Sequence, residues 1–386
     1  MAARMTPRER VLAAVDLKEA DRVPIDIGGT SVTTIVDGKA HQQLKTSLGI
    51  QSAPRYFKFK SRSTLLDEGV FRRLHSDTRP IPHSLPDTDN WEDIYYEDGS
   101  FKDEFGVIWR KTAGDGMYAP VGSPLREATM SDLAAYRWPD PLDPGRTRCL
   151  REQARHLHEH TDYAVCFTLP SGMIHLATYL RGFEEFMVDL AINHAFLEAL
   201  LDACTEWYLE LTRTTMEQIG PHLDVVLFGD DIGFQTGPMV DLARYRRLFK
   251  PRHRRIMDCI RRQSAARILY HTDGAVTAFI DDLLEIGVDA LNPVQASAAG
   301  MNTRDLKARF GDRICFWGGI DTQSVLPMGT PEEVHAEVRR RIQDLAPGGG
   351  YVLASVHNLQ VDVPIENVLA MADAALECGA YPICES

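Results

Sequence analysis

The chain has no apolar run approaching the ~20 residues that a membrane-spanning helix needs. Its amino terminus, MAARMTPRERVLAAVDLKEADRVP, lacks the apolar core of a secretory signal. It has no CxxC pair. Seven cysteines, at 149, 166, 204, 259, 315, 378 and 384, are scattered through apolar or helical contexts, which suits free thiols in a reducing cytoplasm. No GxGxxG or P-loop sequence follows the first apolar segment, which argues against a dinucleotide-binding sheet. Positive charge is also in deficit. A net charge of −13 over 386 residues argues against nucleic acid or an anionic membrane as the main partner. The one basic cluster, RYRRLFKPRHRR (244–255), is interleaved with Tyr245, Leu248 and Phe249 and reads as a helix with a solvated face. A cytoplasmic protein is expected.

What is present is a regular alternation. Thr6, Pro7 and Glu9 form a capping box that starts a helix running to about Lys18, and Thr330, Pro331 and Glu333 do the same for TPEEVHAEVRRRIQDLA. RVPIDIGGT and SDTRPIPH are two strand candidates. The stretch 87–125 changes character: WEDIYYEDGSFKDEFGVIWRKT places aromatic and β-branched residues around EDGS and predicts a β-hairpin excursion. From residue 150, the apolar strands YAVCFTL, DVVLFGDD, RILYHTD, DALNPV, RICFWGGI and GYVLASVHN alternate with amphipathic helices. Continuously apolar strands are those that helices cover on a parallel sheet. The strand total is eight, so the expected fold is α/β. It is a (β/α)8 TIM barrel of one domain (1–386) with an N-terminal elaboration that includes the hairpin.

Barrel active sites lie at the C-terminal ends of the strands. Reading those ends in order gives Gly28, Gly29 and Thr30; Pro170 and Ser171; Asp230 and Asp231; His271 and Asp273; Asn292 and Gln295; Gly318, Gly319 and Asp321; and His357, Asn358 and Gln360. His271 and Asp273 share a side of their strand. With His357 they form a plausible zinc set of two imidazoles and one carboxylate. The same His-x-Asp…His order occurs in non-haem iron oxygenases, but on antiparallel barrels rather than alternating strands and helices. A third reading is a strand-end histidine bonded to Asp273 without metal. Asp230 and Asp231 point to opposite sides, so at most one faces the pocket, as substrate orienter or acid/base, unless one of them caps a following turn. Asn292, Gln295, Asn358 and Gln360 offer neutral hydrogen bonds to a polar ligand. Arg79 is the one strand-end arginine available to bind a carboxylate. Asp321 reads as a turn cap, and the glycines before it allow close backbone approach to a ligand.

TPRERVLAAVDLKEADRVPID, GDDIGFQTGPMV, HTDG, LNPVQASAAGMNTRDLKARFGDRICFWGGIDTQ and VPIENVLAMADAA, in this order, resemble the uroporphyrinogen decarboxylase-like superfamily. The resemblance spans nearly the whole chain and implies a (β/α)8 barrel. It also implies one of two chemistries: cofactor-free decarboxylation of a tetrapyrrole, or methyl transfer involving a corrinoid protein, commonly assisted by zinc. Where the decarboxylases carry RQAGRY, this chain has DIGGTSVTTI. The methyltransferase branch binds zinc through His-x-Cys and a distant Cys. Here His271 matches the histidine, Asp273 stands at the first cysteine and His357 falls near the second.

The resemblance therefore implies a zinc-assisted methyltransferase. His271, Asp273 and His357 would hold the metal, and Asp230 or Asp231 would act on a small O- or N-methyl substrate. No corrinoid-binding DxHxxG sequence occurs, so the corrinoid would come from a separate protein. A homodimer is expected by resemblance alone. Two rivals stand beside this reading: metal-free decarboxylation of a tetrapyrrole or polycarboxylate, and a non-catalytic barrel that binds a corrinoid or tetrapyrrole.

Overall fold

The computed structural model describes residues 5–383 apart from 59, 85, 88–95, 97, 113–116 and 171. Seven parallel strands form its main sheet: β1 (Thr78–Ile81), β2 (Ala164–Thr168), β3 (Val225–Gly229), β4 (Arg267–His271), β5 (Ala290–Asn292), β6 (Cys315–Ile320) and β7 (Tyr351–Ser355). They lie side by side in chain order. The eighth position is filled by residues 24–26. Leu353 N donates to Pro24 O and Asp26 N to Leu353 O, both at 2.9 Å, while Asp77 N donates to Ile25 O at 2.8 Å on the other side. RVPIDIGGT thus closes the barrel through hydrogen bonds, although its one bridge to a barrel strand is Ile25 to Leu353, while Arg22 bridges Ala380. The α/β barrel expected from the strand count is the observed fold.

Alternation along the strands sorts side chains into two cores. Ala164, Cys166, Val225, Leu227, Leu269, Ala290, Trp317, Val352 and Ala354 fill the barrel interior together with Val11, Ala14 and Val15 of the helix Pro7–Val15. That helix starts from the expected Thr6–Glu9 capping box and plugs the N-terminal ends of the strands. Its Arg8 bonds Tyr163 O and approaches Asp224, each just before a strand. The outward residues of the strands pack against the surrounding helices in the larger core. With the bottom plugged by an apolar helix, the polar strand ends at the top are left for chemistry.

The expected hairpin is a three-stranded antiparallel sheet, Phe101–Lys102, Ile108–Lys111 and Tyr118–Gly122. A separate turn precedes the first strand, where Gly99 N donates to Tyr96 O and Tyr96 N to Ser100 O. The reversal between its first two strands is residues 103–107. There Asp103 accepts hydrogen bonds from the backbone of Phe105 and Val107, from Trp109 Nε1 and from Lys60 Nζ. An aspartate that binds its own following amides fixes such a turn. Residues 88–95, 97 and 113–116 of the expected excursion fall outside the described residues. The basic cluster behaves as a solvated helix face: Arg246, Arg247, Arg252 and Arg255 pair with Asp282, Glu198, Asp202 and Glu206, while Tyr245, Leu248 and Phe249 are buried. Among the described residues, no helix is long and apolar enough to cross a membrane.

Candidate metal centre and active site

His271 ends β4, and His357 follows β7 by two residues. With Asp273 they bring three ligand atoms within 4.8 Å of one another. The two imidazole centroids are 5.6 Å apart, and His271 Nε2 is 3.8 Å from Asp273 Oδ2. Register explains how the room is made. His271 pairs with Gly229 on one side and Asn292 on the other, and a Cβ at Gly229 would stand 2.9 Å from the His271 Cβ.

The donor chemistry fits a metal. Asn292 Nδ2 donates to Trp317 O at 3.0 Å, which turns Asn292 Oδ1 toward His271. His271 Nδ1 donates to that oxygen at 2.6 Å. The imidazole is thereby held in the tautomer whose Nε2 carries a lone pair on the side of Asp273 and His357, as a metal-ligating histidine requires. Two imidazoles and a carboxylate are a set that zinc accepts with one position left open.

Beside this trio lies a second polar group that only partly follows the sequence reading. The adjacent aspartates do point opposite ways. Asp230 turns outward and is fully buried. Its Oδ1 accepts from the backbone N–H of Ile174 and His175 at 3.0 and 3.1 Å, capping the helix Met173–Arg181, and its Oδ2 accepts from His253 Nε2 at 3.0 Å. It caps a neighbouring helix rather than the turn that follows it. A direct acid/base role for Asp230 is therefore not supported by its position. Asp231 turns inward, with its side chain 39% exposed. Its Oδ1 accepts from Asp273 N at 2.8 Å and its Oδ2 from His175 Nε2 at 3.1 Å. Burial opposes ionisation of both carboxyls, yet the histidines around them hold both below the ordinary range. Burial likewise opposes charge on His175, but Asp230 and Asp231 hold its imidazolium well above the usual histidine value.

His175 and His253 escaped the sequence reading. His175 lies in an ordinary helix start, and His253 hides inside the basic cluster. Asp26 escaped it too. Fully buried at the barrel-closing segment, it accepts from Thr78 Oγ1, Gly29 N, Thr33 Oγ1 and Trp317 Nε1 at 2.6 to 2.9 Å. Burial pushes its carboxyl above the usual value against these four donors. The apolar–polar alternation in PIDIGG was the available signal.

The other candidates serve the frame of the site. Gln295 takes Gly274 N on Oε1 and donates to Gln235, tying the HTDG turn to the next loop. Asn358 is buried and spends its amide on Thr34 N, Ser31 O and Ser63 Oγ. Gln360 donates to Asn358 O. Asp321 caps its turn as expected, accepting from the backbone of Gln323, Ser324 and Val325. The glycines before it meet Val294 and Tyr351 rather than an open ligand space. Arg79 is turned away from the strand ends. Its neighbour Thr78 points inward to Asp26, so Arg79 points outward, paired with Glu68 at 2.8 Å and sandwiched by the rings of Phe71 and Tyr163. Ser171 lies outside the described residues.

The comparisons with known proteins fit this architecture. The uroporphyrinogen decarboxylase of Thioalkalivibrio sulfidiphilus is 26% identical over 278 residues, 69% of this chain and 75% of that protein. The uroporphyrinogen decarboxylase of Methylococcus capsulatus is 26% identical over 189 residues, 48% of this chain and 49% of its own length. A solved methyltransferase from Methanosarcina mazei superposes with a TM-score of 0.69 at 19% identity, covering 97% of this chain and 99% of that one. At that identity the likeness is one of fold. The profile of the uroporphyrinogen decarboxylase (URO-D) family matches residues 110–378, and the chain belongs to that family.

Proposed function

We propose that this chain moves a methyl group from a small O- or N-methyl substrate to the cobalt of a separate corrinoid protein, with zinc held by His271, Asp273 and His357. The observation that carries the reading is the convergence of these three ligand atoms within 4.8 Å, with His271 fixed by Asn292 in the ligating tautomer. The fold shared with a protein described as a methyltransferase supports it. Zinc bound there, left at about +1 by one carboxylate, would supply Lewis acidity to the methyl-bearing oxygen or nitrogen. Asp231, inward and partly exposed beside the trio, would offer an acceptor to a hydroxyl or N–H group elsewhere on the substrate.

The family match and the curated relatives favour a second reading, decarboxylation of a tetrapyrrole or polycarboxylate. Such a substrate needs cations at the pocket mouth. Arg79 does not supply one, because its guanidinium is committed to Glu68 and to the carbonyls of Ser76 and Thr78. The deciding experiment is the zinc content of wild type and of a His271→Ala/His357→Ala variant, followed by methyl transfer to a reduced corrinoid protein. About one zinc per chain, lost in the variant together with methyl transfer, is the expected result. Turnover of a polycarboxylate by metal-free protein would replace this proposal with the decarboxylase reading.

A further inference from the structure

The helix Leu150–His160 leads into the N-terminal end of β2, so its last turns lie at the foot of the barrel, opposite the His271, Asp273 and His357 trio. Those turns read HLHEH, and the three histidines are not equivalent. His156 and His160 are exposed and stand i, i+4 on one helix face. Their rings are stacked, with centroids 4.9 Å apart and planes 20° from parallel. His158 lies on another face, half-buried, with its ring tilted against that of His222 at 5.8 Å.

The hydrogen bonds prepare the exposed pair for a metal. His160 Nδ1 is 3.2 Å from the carbonyl of His156. A carbonyl only accepts, so in the neutral ring this contact places the proton on Nδ1 and leaves the lone pair on Nε2. An Nδ1–H given to a backbone carbonyl is the bond that orients a metal-ligating imidazole. The platform beneath the pair is also held still. Helix ends ordinarily fray, because their last carbonyls lack partners. Here Arg8 of the plug helix donates to His158 O and to Thr161 O, both at 3.0 Å, and Thr161 Oγ1 donates to Leu157 O at 2.6 Å.

We infer that His156 and His160 form a second metal site, a two-histidine chelate for divalent late transition metals. Two histidines at i, i+4 are the spacing by which one helix face presents a pair of zinc ligands. Imidazole nitrogen suits copper, nickel and zinc, and the order of affinities along the row makes copper(II) the tightest. Magnesium and calcium, which demand oxygen, find no ligand in the pair. Water fills the remaining positions. With two protein ligands against three at the strand ends, this is the weaker and more readily exchanged of the two sites. It lies at the other end of the barrel and does not rest on the methyl-transfer reading.

The test titrates copper(II) into full-length protein that has first been offered zinc and gel-filtered. Affinity is read by competition with a chromophoric chelator, and the ligands by pulsed electron paramagnetic resonance. His156→Gln and His160→Gln are each expected to weaken this copper site by at least about 10-fold, the least that loss of even an outer partner of a metal ligand costs. The double variant should bind one copper fewer per chain, His158→Gln should leave the site unchanged, and the wild-type spectrum should show two coupled imidazoles. Both exposed positions accept glutamine without loss of helix, so the variants fold. Equal copper stoichiometry in wild type and the His156→Gln/His160→Gln variant would overturn the inference, as would a single coupled imidazole. Equal weakening by His158→Gln would overturn the assignment to this pair. Copper lost only in His271→Ala/His357→Ala would return all metal binding to the strand ends.

Discussion

His271 Nδ1 donates to Asn292 Oδ1 across 2.6 Å, and Asn292 in turn donates to the carbonyl of Trp317 at 3.0 Å. Three neighbouring strands thus set one tautomer. Asn292 had the character of a substrate contact in the sequence, but its buried amide is engaged on both ends by the barrel itself. Replacing it by leucine leaves both partners unpaired and frees the imidazole to turn. Asn292→Leu should weaken zinc binding by about 10- to 100-fold, read by competition with a chromophoric chelator, whereas Asn292→Asp, which keeps the acceptor, should retain most of it. Unchanged affinity in the leucine variant would remove Asn292 from the proposed metal centre.

Asp77 should matter to stability rather than to chemistry. It is 1% exposed and accepts from Arg10, from both terminal nitrogens of Arg22 and from Ile25 N, joining the plug helix to the barrel-closing segment. Asp77→Ala takes from Arg22 its carboxylate partner and leaves Arg10 with Asp21 alone. Urea unfolding should show a loss of about 3–5 kcal/mol. A loss under about 1 kcal/mol, the range of surface pairs, would mean that water already screens the cluster.

At Gly172 a Cβ would sit 2.3 Å from both Asp230 Oδ1 and Gly229 O. Neither the strand end nor the capping carboxylate has room to retreat. Gly172→Ala should cost about 1–3 kcal/mol in unfolding free energy and disturb the His175 resonances, because the helix start must move. Wild-type stability would show that this helix start is more adaptable than its contacts imply.

The His175 cluster also predicts a pH dependence of stability. The imidazolium is held well above its ordinary value in the folded chain. Its contribution is therefore complete below the unfolded value of about 6.5 and fades as the pH rises through the folded value. Asp230 and Asp231 are held below the usual carboxylate range, so their share is present above about pH 3.9 and is lost as the pH falls through their folded values. The difference in unfolding free energy between wild type and His175→Gln should shrink toward alkaline pH. A difference that stays constant or grows would contradict the charged form of the ring.

The sequence by itself determined the barrel. Strands apolar along their whole length, the capping boxes at Thr6 and Thr330 and helix-length spacing between strands are local signals, and parallel pairing of buried strands leaves few other arrangements. It also determined that His271 and Asp273 share a side and that Asp230 and Asp231 do not, since alternation along an extended chain is a property of the backbone. Tertiary structure alone decided what each polar strand end faces. The parity of Thr78 sent Arg79 outward to Glu68, and β5 beside β4 made Asn292 the partner of His271. Closure of the barrel set Asp26 against Trp317, 291 residues away in the chain, and two helices brought His175 and His253 to Asp230. These contacts depend on strand register and helix placement, which arise from packing the whole core and leave no mark in any short stretch of sequence.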